Sequence, residues 1–472
     1  METRERAQLI ALLVLPVVLL VGLSVAPSPA AVPEAWDQVR LAEAHNRPAA
    51  AAGHLERVLV WQPWRADLWE QAAQARYAAG EIDAAIAAFE WAQSENALSI
   101  EGQFTLAAAL EQSERVDDAH SVWMAIAHRP DLEGEQLERL TLELAAFDPV
   151  AAQATCQRWL EQEPGNGEVH YRLGLFEIVS DPEQGLARLT RAANLQSGYR
   201  PALEAVATVI EENQAADEPI RLVALGRVLG RLNEWPAAES AFARAVAAAP
   251  GWSDGWAFWG EAKQNLGQGG LAELEQAVAL DPDSVIARAM LALYWRRQEQ
   301  PAKGLDHLHA AAALEPEKAV WQLELAKTYQ LAGDLQHAAE HYQKAIELEP
   351  QNPLTWQALA AFSAQNQLDI HGTALPAARQ AYLLDTDDPV GLDLLGWIFY
   401  LLEDFDSAER FLQQALQQAP DLASAHLHRA EVLIAQHKTA QANEHLAEAI
   451  RLDGDAAVGQ IARRLLEQSK RP

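Results

Sequence analysis

Residues Ala319 to Asn352, AVWQLELAKTYQLAGDLQHAAEHYQKAIELEPQN, form the stretch that decides the fold, because its pattern recurs along most of the chain. Its first half has the spacing of an amphipathic helix, with one apolar face made by Leu325, Ala326 and Tyr329. Gly333 follows as a residue that readily leaves a helix, and Asp334 as one that caps the next helix. The stretch therefore begins with a helix and a turn.

The second half predicts another amphipathic helix, which Pro350 ends. Its packing positions follow helical spacing and are Ala338, Tyr342 and Ala345. Small residues at these positions let the two backbones approach closely, while the larger apolar side chains fill the space between the helices. Such a pair cannot bury its apolar face alone, so it needs neighbours of the same kind.

The same positions hold similar residues in other parts of the chain. From Pro219 they are Leu225, Gly226, Leu229, Ala238, Phe242, Ala245 and Pro250. From Pro389 they are Leu395, Gly396, Phe399, Ala408, Leu412, Ala415 and Pro420. This order of small residue, aromatic residue, small residue and proline closely resembles the tetratricopeptide repeat, a helix-turn-helix unit of about 34 residues. The resemblance implies an all-α, right-handed superhelical solenoid that binds proteins or peptides and has no catalytic role.

Composition supports a helical repeat protein and excludes one class of partner. Half of the 472 residues are hydrophobic, and the formal net charge is −31. Nucleic acids and anionic lipid headgroups are bound by clustered Lys and Arg, so this charge argues against a nucleic-acid function. The single cysteine, Cys156, occupies the apolar position of a second helix and is expected to be a buried thiol.

The N-terminal region contains a membrane segment. Leu9 to Val25, LIALLVLPVVLLVGLSV, is nearly all apolar and lies near the short end of the length that spans a bilayer. Arg4 and Arg6 precede it, so the positive-inside rule keeps the N-terminus in the cytoplasm and sends the body across the membrane. We expect a retained single-pass anchor in the cell membrane. The alternative is a signal peptide cleaved near Ala30, which would release a secreted protein.

The remaining chain divides into two predicted repeat arrays. Residues 1–31 hold the cytoplasmic tip and the membrane segment, and residues 32–214 an N-terminal array that ends in an unpaired helix from Pro201. The polar stretch EENQAADEP separates this array from a C-terminal array over residues 219–456. Residues 457–472 are expected to form a capping helix and tail.

Catalytic and metal motifs give no convincing candidate. His337 to His341 match H-x-x-E-H, the pattern of inverted zinc peptidases, but Ala338 is a packing position of the repeat. The sequence therefore predicts two histidines on a solvated flank, with no third ligand. We expect no catalytic residue, no metal, no cofactor and no enzyme activity.

Binding is expected on the surface formed by the first helix of each unit, at positions turned away from the second helix. In the C-terminal array these candidates are Leu323, Glu324, Lys327, Gln357, Val390, Asp393, Leu394, Trp397, Tyr400, Leu401, Leu427 and Glu431. Trp397 and Tyr400 are predicted to lie at the centre, although Trp397 packed between first helices is an equally good interpretation. Four arginines are placed on the same surface, Arg227, Arg231, Arg296 and Arg297, to receive a carboxylate or to pair with local Glu.

The sequence thus predicts a membrane-anchored, non-catalytic scaffold whose repeats face the extracytoplasmic side and hold a protein or peptide. The alternative is an accessory or regulatory subunit of a membrane glycosyltransferase or of a polymer-export or cell-envelope assembly machine.

Overall fold

The computed structural model describes residues 31–454 and 456–469, and in these residues it contains 26 α-helices and no strand. The predicted membrane segment, Leu9 to Val25, lies outside the described residues. Within them, no helix combines the length and apolar character needed to cross a bilayer. Contacts divide the chain into two compact units, Met1–Thr208 and Val209–Pro472.

The described part of the first unit, from residue 31, contains five helix pairs followed by a single helix. Their bounds are α1 Ala31–Ala44 and α2 Pro48–Trp61, α3 Ala66–Ala78 and α4 Ile82–Ser94, α5 Ile100–Gln112 and α6 Val116–Ala127, α7 Gly134–Phe147 and α8 Pro149–Gln162, α9 Gly167–Ile178 and α10 Pro182–Leu195. A 3₁₀ turn, Ser197–Tyr199, leads into α11, Arg200–Glu212, which contains the division between the units. Val206 is the one fully buried residue of α11.

In the second unit, the residues that the structure describes form seven helix pairs and a final helix. Their bounds are α12 Glu218–Arg231 and α13 Trp235–Ala248, α14 Ser253–Asn265 and α15 Leu271–Leu280, α16 Val285–Arg297 and α17 Pro301–Leu314, α18 Ala319–Leu331 and α19 Leu335–Leu348, α20 Pro353–Gln365 and α21 Leu375–Leu384, α22 Pro389–Leu401 and α23 Phe405–Gln418, α24 Ala423–Ala435 and α25 Thr439–Asp453, and α26 Ala457–Ser469.

The stretch from Ala319 folds as its sequence predicts. Leu325, Ala338 and Tyr342 are buried between α18 and α19, and the Asp334 carboxylate accepts a hydrogen bond from the His337 backbone N–H at 3.1 Å, which caps α19. Gly333 has φ +83°, the left-handed conformation that ends a helix at little cost for glycine. The predicted helix-turn-helix unit is confirmed.

A left-handed residue recurs between the two helices of most pairs. Its positions are Asn46, Gly80, Glu114, Asn233, Gly267, Glu299, Gly333, Gln367, Glu403 and His437. The connection between α20 and α21 is longer and ends in a π-helical turn, Ile370–Ala374, that continues into α21. There the Asp369 carboxylate accepts a hydrogen bond from the Gly372 backbone N–H at 3.0 Å.

The core of each unit runs along its helix pairs. In the first unit it contains Phe89, Phe104, Trp123 and Trp159, together with Cys156, whose predicted burial is confirmed. Burial raises the pKa of the Cys156 thiol to about 12, so the thiol stays protonated and unreactive. In the second unit, α26 packs Val458, Leu465 and Leu466 against the cluster around Leu433 and Leu446.

Candidate functional site

A groove runs across the first helices of the second unit, within the region that the sequence predicts for binding. It encloses about 710 Å³, a volume typical of ligand sites, and touches five helices. Its lining comes from α18 (Leu323, Lys327), α20 (Leu354, Gln357, Ala358, Ala361, Gln365), α22 (Val390, Asp393, Leu394, Trp397), α24 (Ser424, Leu427, His428) and α26 (Val458, Ile461). Counted from the first lining residue of each helix, the others lie at i+3, i+4, i+7 or i+11, so each helix contributes one face.

Exposed aliphatic residues lie near the starts of successive first helices, and two of them, Leu354 and Val390, line this groove. Leu354 and Val390 are the second residues of α20 and α22, and their exposed fractions are 61% and 53%. The second residues of α16 and α18 are Ile286 and Val320, exposed by 39% and 45%. We call these four residues the aliphatic row. Because repeated large apolar side chains at solvent-exposed positions are unfavourable unless covered, such a row is typical of an interaction surface.

Trp397 lies on the groove floor and is also packed between neighbouring first helices. Its indole stacks on the imidazole of His428, with ring centroids 5.2 Å apart and planes 12° apart. It also contacts the apolar core of α20, α22 and α23 and is half-buried. Both interpretations offered by the sequence therefore describe part of its environment.

A buried ion pair lies under Trp397. His428 Nδ1 is 2.8 Å from Asp393 Oδ1, and the exposed fractions of the two side chains are 18% and 6%. Burial of the imidazole favours its neutral form, but the adjacent carboxylate outweighs burial and raises the pKa of His428. Asp393 is therefore a lining residue whose carboxylate is already engaged from below.

Glu431 adds a second carboxylate beside this pair. It follows His428 by three residues and so shares a face of α24. Burial first, and then the Asp393 charge, raise the pKa of Glu431, while His428 opposes them. The pKa of Tyr400 is raised too, by burial and by the Glu431 charge. We call Asp393, His428 and Glu431 the acidic cluster.

The other end of the groove carries basic side chains that are already paired. Lys327 Nζ is 3.0 Å from Glu324 Oε1, and Arg296 donates to the Glu324 Oε2 atom at 2.7 Å. Burial of Glu324 opposes ionisation, but these two partners outweigh it and lower the pKa of its carboxyl group. Arg297 donates to Gln264 at 2.7 Å and lies 3.8 Å from Glu261. Local pairing is therefore what the structure gives for Arg296, Arg297 and Lys327.

The remaining predicted residues lie apart from the cavity. Tyr400 and Leu401 are half-buried, with Tyr400 contacting Phe405 at a centroid distance of 6.3 Å. Arg227 and Arg231 line a separate pocket of about 240 Å³ with Trp235 and other residues of the first pairs of the unit. The guanidinium of Arg227 lies 5.3 Å from the centroid of the Phe258 ring.

The H-x-x-E-H segment requires one correction. His337 is half-exposed and contacts Asp334 at 2.6 Å. His341, however, is buried, with an exposed fraction of 7%, and its Nδ1 lies 2.8 Å from Gln322 Oε1. The expectation of a solvated flank is wrong for His341, because α18 and the preceding pair cover that side of α19. In the described residues, no group of three or more potential ligands could hold a metal ion.

Sequence reasoning missed most of the aliphatic row. It included Val390 but omitted Leu354, Val320 and Ile286, because an apolar residue near a helix start is commonly a packing residue. The available signal was positional. These residues recur 34, 34 and 36 positions apart (286 to 320, 320 to 354, 354 to 390), each directly after the start of a first helix.

Family comparison identifies the repeat. Two tetratricopeptide-repeat models match residues 318–362 and 392–425, so the chain contains tetratricopeptide repeats in the second unit. A TPR repeat-containing protein of Pseudomonas aeruginosa is 45% identical over 58 residues. That segment is 12% of this chain and 10% of the other protein.

Similar solved structures have low sequence identity to this chain. Yeast Tom70 has 14% identity and a TM-score of 0.43, covering 93% of this chain and 95% of Tom70. A tetratricopeptide repeat protein from Parabacteroides merdae has 12% identity and a TM-score of 0.45, covering 54% and 99% of the two chains. YrrB, a TPR protein with an unusual peptide-binding site, has 17% identity and a TM-score of 0.30, covering 40% and 97%.

Proposed function

We propose that this chain is a non-catalytic scaffold that holds a peptide segment of a partner protein in the groove across α18 to α26. The observation that supports the proposal is the exposure of Leu354 and Val390 beside a cavity with an otherwise largely apolar lining. Covering these side chains would remove apolar surface from water, at about 25 cal/mol per Å². A binding role explains why the chain keeps them exposed.

The dimensions of the groove favour a peptide over a small molecule. Packed helices lie about 8–10 Å apart, so a ligand that touches the five helices spans roughly 30–40 Å. An extended chain advances about 3.3 Å per residue, which corresponds to roughly ten residues. Alternate side chains of such a segment point to the same face and can meet successive helices.

A library of random decapeptides displayed on phage tests the proposal. The library is panned on the full-length chain, which is purified in detergent because of its apolar N-terminal run. Peptides enriched on this chain should lose binding to a variant carrying Leu354→Glu and Val390→Glu. Both substitutions fall in the first turn of a helix, where a carboxylate is electrostatically favourable, so folding should be preserved.

Val150→Glu is the matched control. Val150 is also exposed, by 79%, and it too is the second residue of a helix that begins with proline. It lies on α8, a second helix of the other unit. Peptides that bind the double variant as well as they bind the original chain would overturn the proposed groove.

We further propose that the chain is held in the membrane by Leu9 to Val25, with its repeats on the extracytoplasmic side. The support is the apolar run and the two arginines before it. Mass spectrometry of the protein isolated from membranes should find an intact N-terminus. A mature chain that starts near Ala31 would show cleavage instead and make the repeats a secreted protein.

The alternative role, an accessory subunit of a membrane glycosyltransferase or of a polymer-export or cell-envelope assembly machine, would use the same groove and anchor. It differs in its partner. A detergent pull-down should then retain one membrane enzyme or export component in a fixed ratio to this chain, and the Leu354→Glu, Val390→Glu variant should lose it.

A further inference from the structure

We infer that the segment held in the groove is an extended peptide that combines aliphatic side chains with a basic side chain, and that the basic side chain pairs with Glu431. This inference rests on the proposed function and specifies the chemistry of the partner. The aliphatic part is recognised by Leu354 and Val390 of the aliphatic row, and the basic part by the acidic cluster at the α22–α24 end of the groove.

Glu431 is the group in this cluster that still needs a partner. Asp393 is engaged by His428 at 2.8 Å, which leaves Glu431 as the second carboxylate of the cluster. Among the described residues, none forms an ion pair or hydrogen bond with the Glu431 side chain. Glu431 is not itself among the residues that line the cavity, but it continues the lining face of α24, because it follows Ser424 by seven residues as Trp397 follows Val390 in α22. The charge of His428 offsets part of the cost that burial and the Asp393 charge impose on the Glu431 carboxylate. An ammonium or guanidinium group placed against this carboxylate offsets the remainder.

The opposite end of the groove does not call for a second charge. Lys327 and Arg296 both contact Glu324, so the carboxylate there is fully compensated and the basic groups are already engaged. Lys327 is therefore a poor receptor for a peptide carboxylate. The charge requirement is confined to one end, which means that a single basic residue near one end of the peptide satisfies it.

The charge of the whole chain favours the same partner and disfavours a second copy of this protein. With a formal net charge of −31, the chain repels another acidic surface and attracts a basic segment over about one Debye length, roughly 8 Å at physiological salt. General attraction alone would not distinguish one basic peptide from another. Pairing with Glu431 beside the aliphatic row would distinguish them, because it requires a basic side chain at a fixed distance from the aliphatic ones.

The decapeptide selection on the full-length chain also tests this inference, now through the composition of the enriched peptides. Groove-dependent peptides should carry aliphatic residues at alternating positions and a Lys or Arg near one end. One enriched peptide is then synthesised with its basic residue intact and with that residue replaced by Gln. Both are measured by fluorescence anisotropy against the original chain and Glu431→Gln, in 0.15 M salt.

Glu431→Gln should weaken the binding of the basic peptide about tenfold and leave the binding of the neutral peptide unchanged, since only the basic peptide loses a charge pair. Glu138→Gln is the matched control. Glu138 is a half-buried carboxylate on a first helix of the other unit, and burial likewise raises its pKa. This control should bind both peptides as the original chain does. A decapeptide of Lys and Ser without aliphatic residues should not bind.

The outcomes separate the two proposals. If the enriched peptides are neutral or acidic yet depend on Leu354 and Val390, the groove binds peptides and the basic partner is wrong. If basic peptides bind Glu431→Gln as well as the original chain, overall charge attracts them and the pairing is wrong. If no enriched peptide depends on Leu354 and Val390, the proposed function itself fails.

Discussion

At the scale of single residues, Trp397 joins packing and binding in one side chain. Its indole stacks on His428, and the same side chain packs against the core and lines the groove. An aromatic ring held in this way supplies a large contact area with few rotors to fix on binding. Its packing makes it a rigid part of the groove floor, so it affects stability as well as affinity.

Trp397→Ala should therefore lower the free energy of unfolding of the second unit by about 2 kcal/mol, less than for a fully buried tryptophan because the ring is half-exposed. Urea unfolding followed by circular dichroism measures the change. Trp64→Ala removes an indole that is 51% exposed and should change stability by less than about 0.5 kcal/mol. If Trp397→Ala lowers the free energy of unfolding no more than Trp64→Ala does, the Trp397 indole contributes nothing to packing.

His341 gives the second unit a sensitivity to acid. Burial first, and then nearby Lys344 and His309, lower the pKa of His341 to about 4, whereas the ordinary value is 6.5. Between these values the unfolded chain binds a proton that the folded chain excludes. Stability attributable to His341 is thus present above pH 6.5 and is lost as the pH falls towards 4, by about 2–3 kcal/mol.

His341→Gln should flatten this loss, because glutamine does not titrate and its amide can still donate to Gln322. Urea midpoints measured at pH 7.5 and pH 4.5 test the prediction. His337→Gln, on the exposed side of the same helix, should retain the pH dependence of the original chain. The sequence could not predict the burial of His341, since the side chains that cover it, Gln322 and Tyr329, come from α18 and their reach depends on packing.

At the scale of the element, the helix hairpin was predictable because local signals coincide. Apolar spacing, the Gly333 turn, the Asp334 cap and Pro350 all place the same boundaries, and the structure has helices at Ala319–Leu331 and Leu335–Leu348. The groove was predictable only in part. A sequence tells which face of a first helix turns away from its partner, but exposure of Leu354 depends on what neighbouring pairs leave uncovered.

The turn between paired helices allows a test with opposite signs at equivalent positions. Gly333 has φ +83° and open space around the position of a Cβ atom, so Gly333→Ala introduces backbone strain without a clash. The second unit should lose about 1 kcal/mol of stability. Glu403 occupies the equivalent turn with φ +60°, so Glu403→Gly should add about 0.5 kcal/mol. Thermal unfolding that shifts in the same direction for both variants would contradict this account of the turn.

At the scale of the whole molecule, the chain divides into its two units within α11. The division between Thr208 and Val209 falls inside the helix that the sequence predicts to lack a partner, and the segment after this helix is polar and largely exposed. The predicted array boundaries at residues 214 and 219 stay a prediction. So does the right-handed superhelix, because a repeat pattern specifies each pair and its neighbour more directly than the path of many pairs.

Limited proteolysis tests the boundary. Residues 213–217 form a turn outside regular helices, and cleavage should begin there, giving two fragments that resist further digestion. Mass spectrometry of the first fragments identifies the site. The turn at residues 267–270 is a suitable internal comparison, since it contains three glycines and lies within the second unit. Earlier cleavage at residues 267–270, or uniform resistance at both sites, would argue against a boundary at α11.

The near-regular spacing of the aliphatic row has a consequence for how a partner finds its register. Its three intervals are 34, 34 and 36 residues, one repeat each, so a ligand displaced by one repeat meets similar aliphatic contacts. Translational symmetry of this kind makes apolar binding degenerate: several alignments have similar affinity, and a long segment can exchange among them without leaving the surface. The acidic cluster occurs once along the row and breaks that symmetry. One alignment is then favoured, because only in that alignment does the basic side chain of the ligand reach Glu431.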